Sequence, residues 1–268
     1  MEYITLNTGA RMPLLGLGTW NLRGDTCTSL VSEALQLGYR LIDTAQMYDN
    51  EKEVGQAIAQ TSVKRDDLFI TTKLDSRSNG YQQACEGIVR SLDNLNLEYI
   101  DLMLVHEPYA HDCAMYEALV EAYDEGKVKA IGISNYDEKR FEQFIQNVQP
   151  IPMVNQVECH LQFQKWALHQ KLKAHGTVMQ AWSPLGQGKI DIAKEPVLVQ
   201  LADKYKKTPA QIVLRFMTQR GVAVIPKTKH IERLEENSHI FDFKLLPEEM
   251  RMIQSLDKGT TLFSWTEY

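Results

Sequence analysis

Ile100-Asp101-Leu102-Met103-Leu104-Val105-His106 is a short aliphatic run that ends in an imidazole. A strand with one wet face would alternate apolar and polar residues, so this run reads as a strand covered on both sides. Seven similar runs accompany it: Leu14 to Leu17, Arg40 to Asp43, Leu68 to Lys73, Val128 to Ser134, Met153 to Glu158, Thr177 to Ser183 and Val222 to Lys227. Segments of helical period lie between them. Leu30, Val31, Ala34 and Leu35 mark one face, with Asp25 or Thr26 as cap and Gly38 as stop. Ile88, Val89, Leu92 and Leu95 mark a second, and Met115, Leu119, Val120 and Tyr123 a third that ends at Gly126. Phe141, Phe144 and Ile145 follow Asp137, and Pro209 opens a helix through Ile212, Val213, Phe216 and Met217 that stops at Gly221. Strand alternates with helix throughout, which predicts a parallel sheet with helical crossovers.

Eight such units in 268 residues leave about 33 residues each, the size of one βα unit. That count favours an α/β fold of the closed (β/α)8 type, a TIM barrel, over an open doubly wound sheet. An open dinucleotide-binding sheet should carry Gly-x-Gly-x-x-Gly after its first strand, and Gly16-Leu17-Gly18-Thr19-Trp20-Asn21 lacks the third glycine. Tyr3 to Leu6, Asn7-Thr8-Gly9 and Met12 read as an N-terminal β-hairpin that plugs the barrel bottom. No linker or low-complexity stretch interrupts the chain, so residues 1–268 are read as a single domain.

Apolar residues make up 44% and charged residues 24%, which excludes disordered and fibrous classes. The formal charge of −6 offers no general basic face, so neither nucleic acid nor an anionic membrane is an expected partner. The start Met1-Glu2-Tyr3-Ile4-Thr5 lacks the basic and apolar pattern of a signal peptide, and no apolar stretch approaches the ~20 residues of a membrane span. Cys27, Cys85, Cys113 and Cys159 are scattered without metal-binding spacing, so reduced thiols and no metal are expected. The expectation is a cytoplasmic monomer.

In a barrel of this kind the functional residues stand at the carboxyl ends of the strands. The strand assignments therefore nominate Asp43, Lys73, His106, Ser134, Asn135, Gln156, Glu158, Ser183 and Lys227. Asp43, Lys73 and His106 end three neighbouring strands, and Tyr48 follows the first of them in a loop over the same mouth. Each alone has an ordinary explanation: a solvated lysine, a structural histidine, a capping aspartate, a packing tyrosine. Four titratable side chains converging on one mouth are hard to explain by packing.

These residues lie in motifs that resemble the aldo-keto reductase family. Leu41-Ile42-Asp43-Thr44-Ala45-x-x-Tyr48-x-Asn50-Glu51 is similar to its first signature. Thr71-Thr72-Lys73-Leu74, Asp101-Leu102-x-Leu104-Val105-His106-Glu107-Pro108 and Gly132-Ile133-Ser134-Asn135-Tyr136 follow in order. So do Asn155-Gln156-Val157-Glu158, Ala181 to Gly188, Ile225-Pro226-Lys227-Thr228, Arg233 to Asn237 and Phe241-Asp242-Phe243. The stretch Trp182 to Lys189 is most similar to the microbial branch containing 2,5-diketo-D-gluconate reductases.

The resemblance implies NADPH-dependent reduction of an aldehyde or ketone, with small carbonyls, dicarbonyls or keto-sugars as substrates. It implies Tyr48, Lys73, Asp43 and His106 as the catalytic tetrad. Hydride arriving at a carbonyl carbon leaves charge on oxygen and calls for a positioned proton donor, here Tyr48. A neighbouring Lys73 ammonium is expected to lower the phenol's pKa, and Asp43 to keep that amine charged. By the same resemblance Ser134, Asn135 and Gln156 bind the carboxamide, and Trp182 stacks on the nicotinamide. Ser183, Pro184, Leu185, Gly186 and Gln187 line the pyrophosphate, with Gly18, Thr19 and Asp43 nearby. Lys227, Thr228, Lys229, His230 and Arg233 take the adenosine 2′-phosphate side, and Glu236 and Asn237 the adenine. Trp20, Tyr48, His106 and Glu107 are the implied substrate contacts.

Three departures from the family pattern stand out. Glu107 occupies the place after the histidine where relatives commonly carry Trp, and only about eight residues separate His106 from the next helix. The tail with Phe263, Trp265 and Tyr268 is also brief. Two other function classes compete with the enzyme reading. A non-catalytic cofactor-sensing subunit would show no turnover with NADPH, and a barrel aldolase using Lys73 as a Schiff base would be trapped by borohydride.

Overall fold

The computed structural model describes residues 1–263, so Trp265 and Tyr268 lie outside the described residues. Eight parallel strands form the barrel: β3 (Gly16–Gly18), β4 (Leu41–Asp43), β5 (Phe69–Leu74), β6 (Leu102–Val105), β7 (Ile131–Ser134), β8 (Val154–Glu158), β9 (Val178–Trp182) and β10 (Ala223–Val224). They are hydrogen-bonded in chain order, each to the next, and almost every strand residue is buried on both faces. The continuous aliphatic runs have this cause: one face fills the barrel and the other meets the helices. Seven of these eight strands are shorter than the runs that announced them, and β5 has the same length shifted by one residue.

Ahead of the barrel, β1 (Tyr3–Thr5) and β2 (Arg11–Pro13) pair antiparallel, with Tyr3 opposite Pro13. Met12 is fully buried, and Asn7 reaches the main chain of Ile151 just before β8. The hairpin therefore closes the amino end of the strands, as its sequence predicts.

Helices α1 (Gly24–Gln36), α2 (Glu51–Gln60), α3 (Tyr81–Leu95), α4 (Asp112–Asp124), α5 (Glu138–Ile145) and α6 (Trp166–Ala174) each follow a barrel strand. Two helices, α7 (Pro196–Tyr205) and α8 (Pro209–Gln219), lie between β9 and β10; α9 (Ile231–Ser238) and α10 (Pro247–Gln254) follow. Helix α8 starts as its sequence predicts, with Pro209 in the first turn and a reciprocal capping box between Thr208 and Gln211. One expected core residue is misplaced. Val89 is 50% exposed, because it lies outside the stripe of Ala84, Ile88, Ser91 and Leu95 that this helix turns to the core.

The barrel closes where β3 meets β10. Leu15 bridges Val224, the Val224 N–H donates to the Leu14 carbonyl at 2.8 Å, and the Gly18 N–H donates to Pro226 at 3.3 Å. A Cβ on Gly18 would stand 2.7 Å from the Ile225 carbonyl oxygen, so glycine is what lets this seam shut. Gly18→Ala is therefore expected to cost about 1–3 kcal/mol through overpacking, read by urea denaturation. Unchanged stability would mean that the seam moves aside freely.

Candidate active site

Asp43, Lys73 and His106 come off the carboxyl ends of β4, β5 and β6, and the chain folds so that all three face one mouth. The Lys73 amine is fully buried and fully used. It donates to Asp43 Oδ1 at 2.6 Å, to the Thr44 carbonyl at 2.8 Å and to the Tyr48 hydroxyl at 3.3 Å. Three donors meet three acceptors, which fixes the amine in place. The second Asp43 oxygen accepts from Gln156 Nε2 at 2.6 Å, and the same nitrogen donates to Gln180 Oε1 at 2.7 Å.

Tyr48 ends a short turn, Gln46–Tyr48, whose position is set by the buried side chain of Gln46. Its Nε2 donates to the Gly87 carbonyl and to Ser91, while its oxygen accepts from the Asp75 N–H and from Ser78. Asn50 ties the far end of the same loop to the carbonyls of Thr19 and Leu22. The Tyr48 ring meets Trp20 at 4.9 Å and His106 at 5.6 Å between centroids, both edge-on. Trp20 is 45% exposed, so it walls the mouth without filling it.

The electrostatics follow from burial. Desolvation and the Lys73 charge push the His106 pKa well below the ordinary imidazole value, so His106 is neutral. Burial, with the carboxylates of Asp43 and Glu107, holds the Tyr48 hydroxyl well above the usual phenol value. This corrects the expectation that Lys73 lowers it. The larger cause is burial of the hydroxyl, and the Asp43 carboxylate works against the Lys73 ammonium that donates to the phenol. Burial alone would discharge both members: it raises the Asp43 pKa and lowers that of Lys73, and their mutual attraction opposes each shift.

The other nominated residues surround this centre. Ser134 Oγ and the Asn135 N–H both donate to the Gln156 carbonyl at 2.9 Å, joining β7 to β8. Trp182 ends β9 and donates its indole N–H to Asn135 Oδ1 at 2.8 Å. Ser183 to Gln187 make a tight loop in which Ser183, Gly186 and Gln187 take positive φ, and Gln187 donates to the Ser183 hydroxyl. Gln156 is less available than the sequence suggests, because its amide nitrogen is already shared between Asp43 and Gln180. Glu236 likewise accepts from Thr208 at 2.6 Å, and Asn237 is buried. Thr228 is buried and accepts from the His230 N–H. Thr19 is buried and donates its hydroxyl to the Asp43 carbonyl at 2.9 Å.

Lys227, Lys229 and Arg233 are exposed around the start of α9, and among the described residues none forms an ion pair. Burial and the charge of Lys229 hold the Lys227 amine below its usual pKa. Such a cluster of like charge fits an anion. No group of three or more His, Cys, Asp or Glu among the described residues is placed to hold a metal, and no helix among them is long and apolar enough to cross a membrane.

Glu107 reaches inward, and its Oε1 accepts from Asn135 Nδ2 at 2.8 Å. Helix α4 begins at Asp112, so the loop after His106 is shorter still than the sequence suggests. Sequence reasoning assigned no role to Gln46 or Gln180. Gln180 carried a legible signal: a lone amide inside the aliphatic run Val178-Met179-Gln180-Ala181, in register with Gln156 on β8. At the other end of the barrel, a cleft lined by Arg11, Arg40, Asp66, Asp67 and Asp101 carries mixed charges and none of this chemistry.

The model of the Aldo/keto reductase family matches residues 14–258. The chain is 42% identical over 258 residues to the 9,11-endoperoxide prostaglandin H2 reductase of Trypanosoma cruzi, covering 95% of this chain and 91% of that protein. It is 39% identical over 262 residues to the methylglyoxal reductase DkgA of Escherichia coli K12, covering 97% and 94%. Among solved structures, the Bombyx mori aldo-keto reductase in complex with NADP superposes with a TM-score of 0.93 at 30% identity, covering 100% of this chain and 97% of that one.

The depressed pKa of His106 carries a direct expectation. A group whose folded pKa is lowered has already lost its proton well below about 6.5, so its ring signals should not move as pH falls from about 8 to about 5.5. An NMR titration of the His106 ring protons checks this. A step near the ordinary imidazole value would mean that the ring is solvated and that the burial argument fails.

Proposed function

The chain belongs to the aldo/keto reductase family, and we propose that it acts on small, uncharged carbonyl compounds with Tyr48, Lys73, Asp43 and His106 as its reacting centre. It is an NADPH-dependent oxidoreductase that reduces aldehydes or ketones to alcohols. The observation that carries the proposal is the fully used Lys73 amine, whose third hydrogen bond goes to the hydroxyl of Tyr48.

The residues present fit the coenzyme. The cations of Lys227, Lys229 and Arg233 suit the 2′-phosphate, and their lack of carboxylate partners among the described residues supports that assignment. The Ser183 to Gln187 loop would lie along the pyrophosphate, while Ser134, Asn135, Gln156 and Trp182 would hold the nicotinamide end. Bound there, NADPH supplies the hydride that reduces the carbonyl carbon.

The protein's own share is positioning and proton transfer. His106, neutral and wedged against Tyr48, donates a hydrogen bond to the substrate oxygen and orients it. Tyr48 gives its proton to the same oxygen as negative charge develops. A raised phenol pKa keeps the group protonated in the resting enzyme, so the proton is present when negative charge develops on the substrate oxygen. Lys73 then steadies the phenolate that is left, and Asp43 keeps Lys73 charged in a site where burial would otherwise discharge it.

The Glu107 carboxylate faces the same mouth and acts on the potential at Tyr48. An anionic substrate meets a like charge there, which favours uncharged carbonyls. The free cysteines and the net charge of −6 support a cytoplasmic enzyme without a nucleic-acid partner.

Two measurements test this reading. A small neutral α-dicarbonyl should be turned over with a kcat/KM at least about tenfold above that of an α-keto acid of similar size, followed as NADPH consumption. Equal efficiencies would remove the charge argument. Tyr48→Phe should keep its NADPH affinity while turnover falls on the order of 10²-fold or more. Near-normal turnover in that variant would exclude Tyr48 as the proton donor.

A further inference from the structure

Three side chains from three separate strand ends form a chain of hydrogen bonds across the barrel mouth. Glu107, just past β6, accepts from Asn135 Nδ2 at 2.8 Å; Asn135, just past β7, accepts at Oδ1 from the indole N–H of Trp182, which ends β9, at 2.8 Å. The chemistry of the two outer members determines the sense of the middle one. A carboxylate only accepts and an indole N–H only donates, so the Asn135 amide has one orientation that satisfies both. Turned over, it would set oxygen against carboxylate and NH2 against N–H. Asn135 itself sits at φ 67°, a left-handed conformation that asparagine tolerates better than most residues, so its side chain leaves the backbone in a direction fixed by the loop.

We infer that Glu107 is a positioning residue for the coenzyme: it locks the Asn135 amide and, through it, the plane of the Trp182 indole. The inference rests on the reading that Asn135 and Trp182 hold the nicotinamide end of NADPH. It goes beyond that reading by giving Glu107 a second role that substrate charge does not describe. An apolar residue at position 107 would leave the Asn135 amide with its indole partner and only a 3.4 Å contact to the His106 carbonyl. The amide would then sample both orientations, and in one of them it opposes the indole N–H. A ring that is not held must be ordered when the coenzyme binds, and that ordering lowers affinity.

The ring contact of Trp182 acts differently from this hold. Phe263 approaches the indole at 5.2 Å between centroids and tilted by 58°, a contact that constrains the position of the ring. The direction of the N–H is set by the acceptor of its single hydrogen, Asn135 Oδ1.

The experiment is NADPH titration by calorimetry on Glu107→Leu, Glu107→Gln, Asn135→Ala, Trp182→Leu and the Glu107→Leu/Asn135→Ala double variant, all as full-length protein. Glu107→Leu should weaken NADPH on the order of tenfold, the size of one charge-assisted hydrogen bond partly offset by solvent. Glu107→Gln should recover most of that loss, because its amide oxygen still accepts from Asn135 Nδ2. The double variant should lose no more than the worse single variant, since both changes break one connection. Wild-type affinity in Glu107→Leu with weakened binding in Trp182→Leu would overturn the relay alone. Wild-type affinity in Trp182→Leu would overturn the assignment of the nicotinamide site, and the relay with it. A loss in Glu107→Gln as large as in Glu107→Leu, or additive losses in the double variant, would also overturn the relay.

Discussion

A buried ion pair between Asp43 and Lys73 is the constraint to which the rest of the mouth is fitted. Neither side chain is more than 1% exposed, and their charged atoms stand 2.6 Å apart. Two charges removed from water in this way contribute little to stability, and apolar replacements of equal volume would often serve the fold as well. Breaking the pair by removing one partner is another matter, costing about 3–5 kcal/mol for the charge left behind. The neighbours reflect that asymmetry. Thr44 and Tyr48 take the remaining amine hydrogens, while Gln156 takes the second carboxylate oxygen and draws Gln180 into the set. Strands β4, β5, β8 and β9 are thus joined through polar side-chain contacts.

The same pair explains why the titratable groups around it move apart. His106 lies close enough to feel the Lys73 charge and is buried as well, and both effects favour its neutral form. Tyr48 is governed by burial and by carboxylates, so its proton is retained. On the proposed assignment, a neutral imidazole beside a protonated phenol offers two hydrogen-bond donors to one substrate oxygen. It serves a reaction in which charge appears on the substrate only during the step itself. A site that ionised its tyrosine beforehand would have spent the proton that the step requires.

Much of this was legible in the sequence because chain order and spatial order coincide in a parallel barrel. Once the run from Ile100 to His106 is read as a covered strand, its last residue is placed at the mouth, and Lys73 and Asp43 follow by the same rule. The barrel's eight strands and the amino-terminal hairpin were legible for a similar reason, being local patterns. What escaped was set by contacts between distant segments. Gln46 looks like an ordinary loop glutamine until α3 supplies Gly87 and Ser91 as partners, 41 and 45 residues away. The phenol's raised pKa escaped because its main cause is burial of the hydroxyl, which depends on how the loop packs over the mouth and is not written in the local sequence. Val89 escaped because an apolar residue next to a true core position looks identical in sequence to one within the core.

The rim of the mouth is attached differently from its floor, and this bears on how selectivity arises. Both Glu158 oxygens hold the carboxyl tail, Oε2 by the Thr261 hydroxyl and Oε1 by the Leu262 N–H at 2.8 Å, while Oε1 also meets His160 at 2.9 Å. Lys189, from the loop after β9, donates to the Leu262 carbonyl at 2.8 Å and lies 4.1 Å over the Phe263 ring. Tail and loop are therefore fastened to each other and to one strand end, and they meet the reacting centre through the Phe263–Trp182 contact. Trp182 in turn is held from the opposite side by the Glu107–Asn135 connection. The indole sits where two parts meet: a floor built on Asp43 and Lys73, and a rim built on short loops. Changes in the rim reach the floor through that ring and through the field of Glu107 at Tyr48, whereas Lys73 and Tyr48 keep their positions from strand ends and from Gln46. On the proposed roles, loops of this kind alter what the barrel admits while the positions of Tyr48 and Lys73 stay fixed, and Glu107 is the rim residue whose charge also reaches the proton donor.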